Sequence, residues 1–135
     1  MIGEDTMSLD PDFDLFVQAV LGKKASQVVL LDVRGLTSVA DAFLICSGHS
    51  NRQVTAIADH AFRFLKKRGR KPLSVEGKNE GHWALLDYGE VIIHIFYEPL
   101  RKFYDLEGLW IEGKRLKTAS LRQRIKKETG EETDE

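Results

Sequence analysis

The stretch Val91 to Phe96, VIIHIF, is apolar at every position but one. In an extended strand successive side chains point to opposite faces, so Ile92 and Phe96 look one way while Val91, Ile93 and Ile95 look the other. A strand that is apolar on both faces must be covered on both, which places it in the centre of a layered sheet. Immediately before it, Trp83 to Asp87 reads as a second strand, joined to the first through Tyr88, Gly89 and Glu90. Gly89 supplies the backbone freedom that such a turn requires. Around this hairpin the rest of the chain has to provide neighbouring strands and two covering layers.

The covering layers are legible as helices. In LDPDFDLFVQAVLGKK, Asp10 can cap, Pro11 suits the first helical position, and Phe13, Phe16, Val17, Val20 and Leu21 recur at helical spacing before Gly22. In SNRQVTAIADHAFRFLKKRG, the apolar stripe is Val54, Ile57, Ala58, Ala61, Phe62 and Leu65, with Lys66, Lys67 and Arg68 in the last turn and Gly69 after it. Val28 to Val33 and Ala42 to Ser47 read as strands, PLSVEG as a short one, and a short helix is expected from Pro99 through Leu100, Phe103 and Tyr104. The hairpin gives an antiparallel pair and the long helix permits a parallel crossover. The expected fold is therefore α/β, a mixed sheet of about five strands covered by helices.

At 135 residues the chain fits one domain. Residues 1–8 are read as a flexible N-terminus and 9–111 as the domain. Residues 112–135 hold too few large aliphatic side chains among many charges to build a core, and read as a charged tail. The net charge of −1 gives no overall field to draw in nucleic acid. Basic residues do cluster in KKRGRKP, Lys66 to Lys71, and in the tail from Lys114 to Lys127. Most such runs are solvated helix ends, and the alternative is a weak contact with RNA through phosphate pairing. No apolar run reaches the roughly 18 residues that span a membrane. The start is acidic, unlike a secretory leader, and the lone Cys46 sits in the apolar AFLICS, compatible with a reducing cytoplasm.

Each catalytic reading competes with a plainer one. GHSNRQ, Gly48 to Gln53, lies where a strand turns into a helix, a place that can hold phosphate or display a nucleophilic serine. Yet it lacks every phosphate-loop glycine pattern, and Ser50 with Gln53 satisfies a capping box that needs no ligand. Asp10, Asp12 and Asp14 could hold magnesium, but acids in a first helical turn are what its dipole favours. His49, His60, His82 and His94 lack the spacing of paired metal ligands, and His94 is expected to be a hydrogen-bonded core histidine. No metal, cofactor or catalytic group is expected. Trp83, beginning a strand after a polar loop and sharing a face with Leu85 and Asp87, suits either a core or a protein interface.

GHWALLDYGEVIIHIF, followed by RKFYDLEGLW and preceded by DAFLICSGHSNRQVTAIAD, closely resembles the ribosomal silencing factor family, also called the Iojap family. The match runs from about Val28 to Trp110, with three separated motifs in order. The resemblance implies a domain of nucleotidyltransferase-like shape, homodimeric when free. It implies binding to ribosomal protein uL fourteen on the intersubunit face of the large ribosomal subunit, which sterically blocks joining of the small subunit and lowers translation when nutrients are scarce. A translational repressor is implied, not an enzyme. The alternatives are a large-subunit assembly factor and a nucleotide-binding or nucleotidyltransferase-like enzyme built on GHSNRQ.

By position, the family's W-x-x-x-D-Y/L-G segment falls on Trp83, Asp87, Tyr88 and Gly89. Its R-x-F/Y-Y-x-L-E-x-L-W segment falls on Arg101, Phe103, Tyr104, Leu106, Glu107, Leu109 and Trp110. The partner-binding set implied is Trp83, Asp87, Tyr88, Arg101 and Tyr104. Asp41, Gly48, Ser50 and Arg52 match the remaining motif, read as mainly structural, and His49 stands where threonine is more usual.

Overall fold

The computed structural model describes residues 11–108. The Asp10 cap, the side chain of Asp12, Leu109 and Trp110, and the segments 1–8 and 112–135 lie outside the described residues. Helix α1 (Pro11–Leu21) is followed by strands β1 (Ser26–Asp32) and β2 (Ala42–Gly48), then helix α2 (Asn51–Lys66). Strands β3 (Ser74–Glu76), β4 (Trp83–Asp87) and β5 (Val91–Tyr97) lead into helix α3 (Glu98–Tyr104). The sheet order is β1-β2-β5-β4-β3. As the two-faced pattern of VIIHIF requires, β5 is central: it pairs parallel with β2 and antiparallel with β4. The parallel pairing is reached by a crossover through α2, β3 and β4.

The faces of β5 divide as its alternation demands. Val91, Ile93 and Ile95 pack with Phe13, Phe16, Ile57, Ala61 and Leu65 of α1 and α2. Ile92 and Phe96 pack with Val29, Leu31, Phe43, Ile45 and Leu106 on the other side. The α2 stripe is buried as expected at Val54, Ile57, Ala58, Ala61 and Leu65, with Phe62 at its margin. In α1 the buried positions are Phe13, Phe16, Ala19 and Val20. Leu21, expected in that stripe, is 51% exposed, because the helix ends there and Ala19 occupies the place against its neighbour.

The end of α1 approaches α2 closely. A Cβ on Gly22 would fall 2.2 Å from the His60 ring nitrogen Nε2, so any larger residue there would have to push the imidazole aside. Leaving α1, the Lys23–Lys24 turn is held by the Gln53 amide, which donates to both carbonyls at 3.5 and 3.4 Å.

Because Ile93 is fully buried at the centre of the sheet, Ile93→Ala is expected to destabilise the fold by about 2–5 kcal/mol. Urea unfolding at constant slope measures it, and a loss under about 1 kcal/mol would show that β5 is less central to stability than its packing implies.

Candidate docking surface

Strand β4 starts where its chain is pinned against α2. Asn51 donates its side-chain amide to the Gly81 carbonyl at 2.8 Å, and Gly81 takes φ +74° so close to Asn51 that a Cβ would lie 2.3 Å from its carbonyl oxygen. Tyr97 N–H then donates to the His82 carbonyl at 2.9 Å, and Trp83 enters the sheet opposite Phe96. Alternation puts Trp83 and Leu85 on the Ile92–Phe96 face, where an aromatic series begins. The Phe43 and His94 rings are 5.0 Å apart, Trp83 lies 4.7 Å from Phe96 and 4.9 Å from Tyr104, and Tyr104 meets Phe103 edge-on at 5.3 Å. Along this series exposure rises from 5% at Phe43 to 43% at Tyr104 and 77% at Phe103. A core thus runs out continuously into an exposed aromatic surface at the α3 end of the sheet.

Two polar arrangements fix that surface. The Trp83 indole N–H donates to Nδ1 of His94 at 3.1 Å. That acceptor role requires the neutral ring, and burial pushes the His94 pKa down to about 3. His94 is the hydrogen-bonded core histidine the alternation suggested.

Beneath α3, Arg101 forms a buried bidentate pair with Glu107, Nε to Oε1 at 2.9 Å and Nη2 to Oε2 at 2.7 Å. Its Nη1 donates to the Gln27 carbonyl and to Ser47 Oγ, both at 2.8 Å. Gln27 adopts φ +49° at an irregularity in β1, where the pairing with β2 shifts between Ser26 and Val29. Arg101 therefore ties α3 to a bulge on β1 and to the end of β2.

The sequence-assigned set is divided by the structure. Trp83 and Tyr104 come together. Asp87 lies four residues along β4 from Trp83, roughly 13 Å away in an extended strand, and accepts the Gly89 N–H at 2.8 Å within the turn. Tyr88 sits on the opposite side of the sheet, its ring 5.2 Å from Phe16 and its phenol pushed up to about 12 by burial. Arg101 is 6% exposed, with its bonds made inside the protein. Phe103 and Glu107, absent from the assigned set, belong to the aromatic surface and to its internal support. The adjacency of Phe103 and Tyr104 was the signal available for Phe103, since neighbours on a helix point about 100° apart and a short helix cannot bury both. Glu107 stands in the motif, but its pairing with Arg101 had no local signal, because the partner lies across a break in the helix.

The catalytic candidates have other employment. Ser50 caps α2 by accepting the Gln53 N–H at 3.1 Å, while Gln53 Oε1 accepts the His49 N–H at 2.6 Å, a capping box closed one residue early. His49 Nδ1 faces Glu98 Oε1 at 3.1 Å. Burial pushes the Cys46 thiol up to about 12, against a smaller opposing pull from Arg101, which leaves it un-nucleophilic. Among the described residues no three His, Cys, Asp or Glu side chains converge to hold a metal, and no helix is long and apolar enough to cross a membrane.

The structure is thus a mixed five-stranded α/β domain with an aromatic surface at one end of its sheet. The family model described as "Ribosomal silencing factor during starvation" matches residues 7–135, and the chain belongs to that family. It is 41% identical over 104 residues to the ribosomal silencing factor of Halalkalibacterium halodurans, covering 77% of this chain and 89% of the relative. A more distant relative, the mouse protein named mitochondrial assembly of ribosomal large subunit protein 1, is 29% identical over 102 residues, 73% of this chain and 45% of its own. A crystal structure from Chromobacterium violaceum superposes with a TM-score of 0.70 at 32% identity, covering 81% of this chain and 87% of that one.

Two measurements probe the supports. Arg101→Met would leave Glu107 buried without its counter-charge, and is expected to cost about 3–5 kcal/mol in urea unfolding. Adding Glu107→Gln should recover part of that loss, and strict additivity of the two changes would show that the pair is not coupled. For His94 the folded pKa lies below its ordinary 6.5. The unfolded chain therefore binds the proton first on acidification, and stability present above that ordinary value is lost as pH falls toward about 3. Between about pH 6 and 4.5 the loss from this group is roughly 2 kcal/mol. His94→Leu should remove that component of the acid dependence, and an unchanged slope would contradict a buried neutral ring.

Proposed function

We propose that this protein is a translational repressor. On this reading it binds the large ribosomal subunit through ribosomal protein uL fourteen and sterically blocks joining of the small subunit, lowering translation under nutrient limitation. Family membership supports the ribosomal setting. The observation that carries the docking assignment is the aromatic series rising from Phe43 to the exposed Tyr104 and Phe103, with Trp83 at its pivot. Aromatic anchors on a rigid base are what protein interfaces use for most of their binding energy, and occlusion of a joining surface needs no chemistry.

In this reading Trp83, Tyr104 and Phe103 make the contact. Arg101 acts through α3, which it holds in place. Asp87 and Tyr88 maintain the far end of the β4–β5 hairpin. The protein works in the cytoplasm and is a homodimer when free; sedimentation as a monomer at micromolar concentration would remove the dimer from this account.

The test is co-sedimentation with purified large subunits, comparing the wild type with a folded Trp83→Ala variant. An aromatic anchor contributes about 2 kcal/mol or more, so binding should weaken roughly 30-fold. The wild type should also slow subunit joining in a light-scattering assay while the variant does not. Failure of the wild type to pellet at low and moderate salt would overturn the proposal.

The name of the mouse relative, which refers to assembly of the ribosomal large subunit, favours a second reading in which the same docking serves maturation. Accumulation of immature large particles in cells lacking the protein would support assembly over repression.

A further inference from the structure

On the side of the sheet away from Trp83, α2 turns its polar surface outward. The segment from Asn51 to Lys71 carries seven cations against one carboxylate, Asp59, in a chain whose total charge is −1. Asp59 is engaged mainly with Lys78, at 2.8 Å, and reaches Arg63 only at 4.0 Å. Among the described residues no carboxylate pairs with Lys23, Lys66 or Lys67. The close approach at Gly22 brings Lys23, from the turn after α1, to His60. Arg63 and Lys67 follow His60 on the same face of α2 at helical spacing. Lys23 beside Gly22, and Arg63 and Lys67 along the same helix face, thus lie around one ring, and burial first, then these three charges, depress the His60 pKa. The next cation is fixed as well: the Arg68 guanidinium lies 3.6 Å from the Phe64 ring centroid and donates to the Phe64 carbonyl at 2.9 Å.

A solvated helix end would leave such charges to separate or to find carboxylates. Here two elements converge to bring like charges together, with Gly22 allowing the close approach and the Gln53 amide bridging to the Lys23 and Lys24 carbonyls. Like charges held close repel one another, and a polyanion laid along them converts that cost into binding.

We propose that the ridge formed by Lys23, Arg63, Lys67 and Arg68 binds the sugar-phosphate backbone of RNA, without reading its sequence. An extended row of cations on a convex helix suits the repeating phosphates of a duplex. Base recognition would need exposed stacking platforms, and Phe62 and Phe64 are both partly packed against the core and roofed by cations. On a large ribosomal subunit the RNA met would be ribosomal, a clause that rests on the docking proposal. The ridge itself does not, because it lies on the opposite side of the sheet from Trp83.

The test is fluorescence anisotropy of the full chain with a labelled RNA duplex of arbitrary sequence, titrated across salt. Micromolar binding at about 50 mM salt is expected, with affinity falling linearly on a logarithmic salt axis. Lys23→Glu with Lys67→Glu should weaken it at least tenfold and make the salt slope shallower by about two. Lys126→Glu with Lys127→Glu, the same charge change in the C-terminal segment, should have a much smaller effect, and Trp83→Ala none. Circular dichroism confirms that each variant is folded. The proposal is overturned by absence of RNA binding at low salt, or by a larger loss in the Lys126/Lys127 variant than in the ridge variant. It is equally overturned if phosphatidylserine vesicles or poly-glutamate bind as tightly as the duplex. Loss of subunit binding in Trp83→Ala with RNA affinity intact supports both proposals. RNA binding by a wild type that fails to pellet with subunits retains the ridge and removes the docking reading.

Discussion

The exposed end of this protein depends on a buried ion pair, Arg101 with Glu107. Helix α3 spans seven residues, has no side-chain cap at its N-terminus, and buries Arg101. A helix this short is not stable by itself, so its position is set by what Arg101 grips: Glu107 beyond the helix, the Ser47 hydroxyl at the end of β2, and the Gln27 carbonyl in β1. The last of these explains a backbone oddity. Gln27 holds a positive φ that a non-glycine residue adopts at a cost of order 1–3 kcal/mol, and the bulge it forms turns its carbonyl to the guanidinium. Desolvating the two charges is also costly. What the arrangement supplies in return is geometry, since a bidentate fork tolerates little rotation and carries Tyr104, three residues on, to the face of Trp83.

Around that fixed end the sheet separates two surfaces of different character. Toward α3 the surface is aromatic and emerges from the hydrophobic core without interruption. Beyond α2 it is cationic and underlain by the polar side of an amphipathic helix. The central strand makes the separation possible: because β5 is apolar on both faces, each layer packs independently onto it, and neither surface has to compromise for the other. The near-zero total charge conceals this polarity, and only the placement of charges on elements reveals it.

Much of this was legible before any coordinates. Among the described residues, period-two and period-3.6 patterns located the longer elements, because those periods follow from backbone geometry and the core needs them, while the short β3 and α3 were placed from Pro72 and Pro99. The capping box at Ser50 and Gln53 was readable for the same local reason, although its closure on His49 was not. The site was legible only in part. Trp83 and Tyr104 are brought together by strand pairing and helix docking, which no spacing in the sequence encodes. Tyr88 follows Asp87 by one residue and so turns to the opposite face, next to Phe16. Motif membership groups residues by position along the chain and ignores that alternation. Arg101 entered the partner-binding set by motif position alone, and the residues that internalise it, Gln27, Ser47 and Glu107, come from three separate segments.

If the proposed docking is made at Trp83, its bond to His94 constrains the partner. An indole N–H buried at an interface normally needs an acceptor from its partner. Here the acceptor is internal, held neutral by burial and braced by Phe43. The partner is thus relieved of supplying one, and the Trp83–Tyr104–Phe103 surface asks only for apolar or aromatic contact that excludes water. Such a surface discriminates by shape, with the directional part of the recognition left to the polar groups at its rim. On the docking proposal, ring orientation then decides affinity. It is set by His94 on one side and, through α3, by Arg101 on the other, two residues that a partner need never touch.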